Sequence, residues 1–281
     1  MLQIIYPPVF SPIWAASISM TQILLTLSSY STQQSPSQAT SYSKFAYNRK
    51  LNIPVNSKLG MLMIYSPAFI WLLTKSSNMN IDIASLQQRE SILTLCLVGH
   101  FGKRIFETLF IHKYSGNSDG LADFFIGFYY LIMSWIIIYF LKFNENNILL
   151  SPKMLLGGIS CYIIGEIGNF YHHFLLAQLR KSNHEKITSS SSSSSSEGLE
   201  LKKVYKIPTG GLFPYISTPH YLFELIAWFG IALISQHMNA FLVFTMMSSY
   251  LGGRSKATSE WYRSNIPNYP RDRKNIVPGL F

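Results

Sequence analysis

Apolar stretches of bilayer-spanning length recur along this chain, separated by short polar connections. A transmembrane helix needs about 20 largely apolar residues. Candidates run from Val9 to Ser29, Leu59 to Leu73, Ile92 to Ile111, Leu121 to Leu141, Leu155 to Leu179, Pro214 to Ile234 and Ala240 to Glu260. Polar residues interrupt the third; the fourth is the cleanest, rich in Phe, Tyr, Ile and Trp. The pattern predicts an all-α, polytopic membrane protein: about seven transmembrane helices enclosing a cofactor and substrate cavity, in a single domain over residues 1–281. Asn183 to Leu201 contains an unbroken serine run, Ser189 to Ser196. Such a segment cannot bury a core, so a disordered cytosolic insertion is expected over 183–201.

Loop charges orient the bundle. Lys44, Arg49, Lys50 and Lys58 lie in the first loop, and Lys113 in the third. The fifth carries Arg180, Lys181, Lys186, Lys202, Lys203 and Lys206, and the tail Arg263, Arg271, Arg273 and Lys274. Loops on the other side hold less: Lys75 and Arg89, then Lys142 and Lys153. Excess Lys and Arg mark the cytoplasmic side, which predicts a lumenal amino terminus and a cytosolic carboxyl terminus.

Composition agrees with lipid. Only 13% of the 281 residues are charged and 48% are hydrophobic, whereas about a quarter charged is usual for a soluble domain. The net charge of +10 is dispersed over short loops, a poor pattern for nucleic acid. Cys96 and Cys161 lie within apolar stretches and read as small buried hydrophobes, not a disulfide framework. Met1 to Ser29 lacks the basic region of a cleavable signal peptide.

Ionisable residues inside spans are costly and point to function. His100, Lys103, Arg104 and Glu107 share a side of the third stretch; Glu166, Asn169, His173 and Arg180 share one of the fifth. His220 joins Glu224 in the sixth, and Arg254, Thr258 and Tyr262 recur in the seventh. Any one face could be an ion pair between helices or a snorkelling side chain. Taken together, the faces predict a polar cavity open to the cytosol. Arg180 and Arg254 suit phosphate oxygens through the guanidinium fork. Asn169, His220 and Glu224 suit amide and ribose groups. The histidines lack the clustering that two irons need, so no metal is expected. No G-x-G-x-x-G follows a strand; Gly210 and Gly211 read only as a turn.

Four stretches carry a resemblance: HFGKRIFETLFIHKYSG from His100, GEIGNFYHHFLLAQLRK from Gly165, YKIPTGGLFPYISTPHYLFELIAW from Tyr205, and EWYRSNIPNYPRDRKNIVPGLF from Glu260. They resemble the 3-oxo-5-alpha-steroid 4-dehydrogenase (steroid 5-alpha-reductase) family, which includes the very-long-chain enoyl-CoA reductases. The resemblance covers the carboxyl-terminal two thirds. It implies a seven-helix reductase of the endoplasmic reticulum membrane that uses NADPH on a carbon–carbon double bond conjugated to a carbonyl. Carried over by position, the cofactor residues would be Asn169, His173, Arg180, Tyr205, His220, Glu224, Arg254 and Tyr262. The chain departs from the family pattern at His173, His220 and Thr258, where Asp, Asn and His are common. At the substrate end, Tyr65 and Phe101 stand where steroid reductases place a Glu and a Tyr on the 3-ketone.

The expected chemistry is hydride addition at the β-carbon and protonation at the α-carbon of a lipophilic substrate from the bilayer. Tyr221, Tyr65 or Lys103 would serve the carbonyl oxygen or supply the proton. The Δ4 bond of a 3-oxo steroid is the first expectation and trans-2-enoyl-CoA reduction the alternative. A membrane methyltransferase using S-adenosylmethionine and a non-catalytic scaffold or transporter are further rivals.

Overall fold

The computed structural model describes residues 13–37, 39–40, 45, 52–77, 89–114, 116–141, 151–191 and 205–281. Among them are seven α-helices: α1 (Ile13–Gln33), α2 (Ser57–Ser77), α3 (Arg89–Phe106), α4 (Gly120–Tyr139), α5 (Pro152–Ser191), α6 (Pro219–Ser235) and α7 (Met238–Asn265). Each lies on one predicted apolar stretch. By length and composition, α2 and α4 are long and apolar enough to cross a membrane, and α6 is apolar but shorter. The sequence expectation of seven spans therefore stands at seven helices. Helices α1, α3, α5 and α7 do not meet the same standard; in α3, α5 and α7 ionisable residues dilute the hydropathy, and in α1 Ser, Thr and Gln do.

Several boundaries differ from expectation. Helix α5 continues to Ser191, into the first part of the expected serine-rich insertion; residues 192–201 lie outside the described residues, as do Lys44, Arg49, Lys50, Lys142, Lys202 and Lys203. Lys58 sits in the first turn of α2 instead of a loop. The all-α reading misses one small sheet: β1 (Pro54–Asn56) pairs antiparallel with β2 (Asn117–Asp119), with Val55 opposite Ser118. That pairing ties the start of α2 to the start of α4. Asp119 then caps α4 by accepting from the Leu121 amide, and its other oxygen accepts from the Asn52 side chain at 2.8 Å.

Close helix approach is managed with small residues, as packing in lipid favours. Gly165 lies against the Ala227 backbone, and Gly230 against the Tyr162 backbone, so α5 and α6 meet along their length. In α2, Pro67 removes the N–H that would bond the Met63 carbonyl. A side chain at Gly127 of α4 would collide with that same carbonyl.

The outward faces are apolar. Phe124, Phe125 and Phe128 of α4 and Ile163, Ile164 and Ile167 of α5 are exposed, Phe125 by 58%. Stripes of this kind need a partner or lipid. The tail after α7 folds back onto the segment before α6: the Ser217 amide donates to the Lys274 carbonyl, the Lys274 amide donates to the Tyr215 carbonyl, and Arg273 donates to the Pro208 carbonyl at 2.9 Å. Gly210 and Gly211 hold φ of 85° and 49°, confirming a turn that favours glycine.

Candidate functional site

Helices α3, α5 and α6 bring their polar faces together in the middle of the molecule. The i, i+3 and i+4 spacing in α3 puts His100, Lys103, Arg104 and Glu107 on one side. Across from them stand Glu166, Asn169 and His173 of α5, at matching intervals. His100 donates through Nδ1 to Glu166 at 2.7 Å, and its Nε2 lies 3.4 Å from Glu224 of α6. Lys103 Nζ donates to Asn169 Oδ1 at 2.6 Å and pairs with Glu166 Oε2 at 2.7 Å. The Asn169 amide then donates to the His220 carbonyl at 2.8 Å. Glu224 also accepts from the Trp228 indole at 3.2 Å.

Arg104 is the hub of the lower half. Its Nη1 donates to Glu107 at 2.5 Å and to His173 Nε2 at 2.8 Å, and its Nη2 donates to the Tyr65 hydroxyl at 2.7 Å. Two permanent cations, Lys103 and Arg104, thus meet two carboxylates, Glu166 and Glu107, while the third, Glu224, faces His100 and the Trp228 indole. Burying such charges costs several kcal/mol per ion unless each is paired and hydrogen-bonded. Here they are.

Glu107 opens a π-helical turn, Glu107–Ile111, that closes α3. Its signature is the His112 amide bonding the Glu107 carbonyl at 2.8 Å, five residues back. The extra residue per turn returns His112 to the polar side, where an α-helical wheel would not place it. Its ring then stands 4.8 Å from that of His173, which is 5.0 Å from His220, which is 4.3 Å from Tyr221. Burial, with Arg104, Arg180 and Lys103 nearby, holds His112 neutral, its pKa down at about 3. His112 Nε2 and Glu107 Oε1 are buried without a hydrogen-bond partner. Buried orphans of this kind call for a ligand or water.

The predicted site residues divide. Tyr65, Lys103, Asn169, His173, His220 and Glu224 come together. Tyr221 joins through its ring contact with His220 and reaches α7 through a hydrogen bond with Arg254. Arg254 is buried, under the Phe45 ring and near the Thr40 carbonyl. Tyr262 packs at a tilt against Tyr269, ring centroids 5.3 Å apart, and interacts electrostatically with Arg180 and Tyr221. Tyr205 is further out, edge-on to Trp261 at 4.6 Å. Arg180 donates to the Lys113 carbonyl at the exposed end of the α5 contact.

Among the described residues the charged groups of this cluster bond mainly to one another, and Asn169 is 1% exposed. A recess of about 270 Å³ lies to one side, lined by Leu175, Leu179, Pro208, Thr209 and Phe213, and is not part of this cluster.

Sequence reasoning put His100, Glu107 and Glu166 on polar faces without assigning them to the site, and passed over His112, Trp228 and Tyr130. Trp228 was findable as the residue one turn after Glu224. His112 was not, because a π-turn has no sequence signature here. Glu107, His112 and His173 also place ligating atoms within 4.8 Å of one another, a spacing that suits a metal ion. The Arg104 guanidinium already bonds Glu107 and His173, so the positive charge between them is the protein's own.

The class follows from comparison. Residues 197–281 match the family model described as 3-oxo-5-alpha-steroid 4-dehydrogenase, so the carboxyl-terminal part carries that family's domain and the resemblance read from the sequence is borne out. Among individual relatives, the very-long-chain enoyl-CoA reductase of Dictyostelium discoideum is 26% identical over 193 residues, 68% of this chain and 58% of the relative. The human 3-oxo-5-alpha-steroid 4-dehydrogenase 1 is 33% identical over 132 residues, 46% of this chain and 43% of the relative. A probable very-long-chain enoyl-CoA reductase of Caenorhabditis elegans is 26% identical over 184 residues, covering 64% and 55%. The matched stretches span about half the length of these relatives.

Proposed function

We propose that this chain is an NADPH-dependent membrane reductase acting on a carbon–carbon double bond conjugated to a carbonyl. The preferred substrate is the Δ4 bond of a 3-oxo steroid, a 5-alpha-reductase activity. The enzyme sits in the endoplasmic reticulum membrane with its amino terminus lumenal, its carboxyl terminus cytosolic and its substrate drawn from the bilayer. One observation carries this reading: ionisable groups of three separate helices converge on a single buried cluster that retains unpartnered acceptor atoms.

The residues fit a dinucleotide. Glu107 Oε1 and His112 Nε2 are places for its polar hydrogens, and Arg180 and Arg254 are the guanidinium groups for its phosphates. Asn169, His173, Tyr205, His220, Glu224 and Tyr262 complete the proposed cofactor set. When bound, NADPH supplies the hydride. Binding is expected to exchange some of these internal pairs for cofactor contacts.

The protein's own task is to hold the substrate oxygen and stabilise the charge that develops there. A phenol whose oxygen accepts from a guanidinium keeps its proton free to point at a substrate. Tyr65 under Arg104 and Tyr221 under Arg254 both meet this condition. Lys103 is held by Glu166 and Asn169, so it has to leave a bond before it can serve the oxygen.

Tyr221→Phe and Glu224→Ala are each expected to abolish NADPH-dependent reduction in microsomes. Full activity in both variants removes α6 from the site. Titration of purified protein with NADPH and with S-adenosylmethionine tests the class, since binding only of the latter marks a methyltransferase. A second substrate, a long-chain trans-2-enoyl-CoA, is favoured by the longer match to the enoyl-CoA reductase, 193 residues against 132. Assaying it beside a 3-oxo-Δ4 steroid separates the two.

A further inference from the structure

We propose that Tyr130 of α4 supplies a second phenol hydroxyl beside Tyr65, and that the pair grips the carbonyl oxygen of the substrate. The proposal rests on the reductase reading above and adds a residue that reading does not contain.

The close approach of α2 and α4 creates the pair. Gly127 lies against the backbone of Met63 and Ile64. One turn further on, Tyr130 comes level with Tyr65, ring centroids 6.0 Å apart. Phe101 of α3 closes the third side, its ring edge-on to Tyr130 at 5.5 Å. These three aromatics form an apolar wall with two hydroxyl groups in it.

The two hydroxyls differ in what already engages them. The Tyr65 oxygen accepts from Arg104 Nη2 at 2.7 Å, so its own proton is left to donate elsewhere. The Tyr130 hydroxyl makes no hydrogen bond to any described residue, although the Tyr130 phenol interacts electrostatically with Tyr65, Glu224 and Arg104. Tyrosine in apolar surroundings normally finds a partner for its O–H. Two phenol donors and no acceptor between them suit one oxygen with two lone pairs, such as the carbonyl of a ketone or thioester. Charge that collects on that oxygen during reduction is met by both donors, with Arg104 behind one of them. Helix α4 is the most apolar of the chain, and Tyr130 carried no signal in the sequence that set it apart from Tyr129 or Tyr139.

The test uses full-length protein in detergent. Tyr130→Phe is expected to lower kcat/KM with a 3-oxo-Δ4 steroid or an enoyl-CoA by about 10- to 100-fold, somewhat less than the effect of removing a single oxyanion donor in a hydrolase. The dissociation constant for NADPH and the unfolding temperature should stay close to wild type. Wild-type protein should bind a saturated 3-ketone more tightly than its 3-deoxy analogue, and Tyr130→Phe should lose most of that preference. Because a structural defect would not be repaired by moving the hydroxyl, the double variant Phe101→Tyr, Tyr130→Phe should recover part of the rate. Unchanged kcat/KM and unchanged ketone preference in Tyr130→Phe overturn the proposal while leaving the reductase reading intact. Failure of wild-type protein to bind NADPH overturns both.

Discussion

Two of the buried polar regions among the described residues are built from different chemistry. Between α3, α5 and α6 the groups are charged, and two of their acceptor atoms remain unpartnered. Between α1 and the start of α7 the groups are neutral: Asn239 donates to Gln22 at 2.7 Å and to Ser19 at 3.0 Å, and Gln22 returns a bond to the Asn239 carbonyl. His237 accepts from the Asn239 amide at 3.1 Å and starts α7. The second region does what a packed helix pair in lipid requires, joining two elements more than 200 residues apart in sequence. Buried polarity alone therefore does not mark a site. Charge drawn from three separate helices is what sets the first region apart.

That contrast can be broken by substitution. Glu166→Ala strips a partner from both His100 and Lys103, and it is expected to cost about 3–5 kcal/mol, as removal of one member of a buried pair does. It should also remove NADPH binding. Asn239→Leu deletes the neutral lock and should cost about 1–3 kcal/mol, leaving NADPH affinity of the folded fraction unchanged. Thermal unfolding in detergent, read beside a cofactor titration, distinguishes the two. If Asn239→Leu abolished cofactor binding, the division into site and lock would be lost.

Acid should act on the neutral region through His237. Burial, aided by Arg89, pushes the His237 pKa from 6.5 down to about 4. The folded state therefore holds the neutral imidazole. Its contribution is fully present above about 6.5 and is lost as pH falls towards about 4, at about 1.4 kcal/mol per pH unit at most. An unfolding temperature that declines across this window, and declines less in His237→Asn, is the expected result. Smallest of all is Lys75→Ala. Lys75 pairs with Glu90 at the ends of α2 and α3, with both side chains partly exposed, so a loss of at most about 1 kcal/mol is expected.

Much of the fold was legible from the chain. Each apolar stretch holds a helix, and for α2 and α4, apolar enough to cross a membrane, the backbone would have no cheaper way to satisfy its hydrogen bonds in lipid. The polar faces of α3 and α5 were legible for the same reason, since helical periodicity is local. The short β1–β2 pairing was not, because its strands of three residues meet only once α2 and α4 have packed. Neither was the partner choice within the cluster. Nothing in the order of residues says that Lys103 meets Glu166, or that Arg104 meets Tyr65 and His173.

The sequence by itself determined where the helices lie and which side of several of them is polar, because those follow from spacing along one chain. Only the tertiary structure decided which polar groups pair across α3, α5 and α6. It also decided that the π-turn brings His112 to His173 and that Gly127 sets Tyr130 beside Tyr65. The physical reason is the same in all three cases. Pairing between helices depends on how closely the backbones approach and at what register, and neither quantity is written in the periodicity of a single segment.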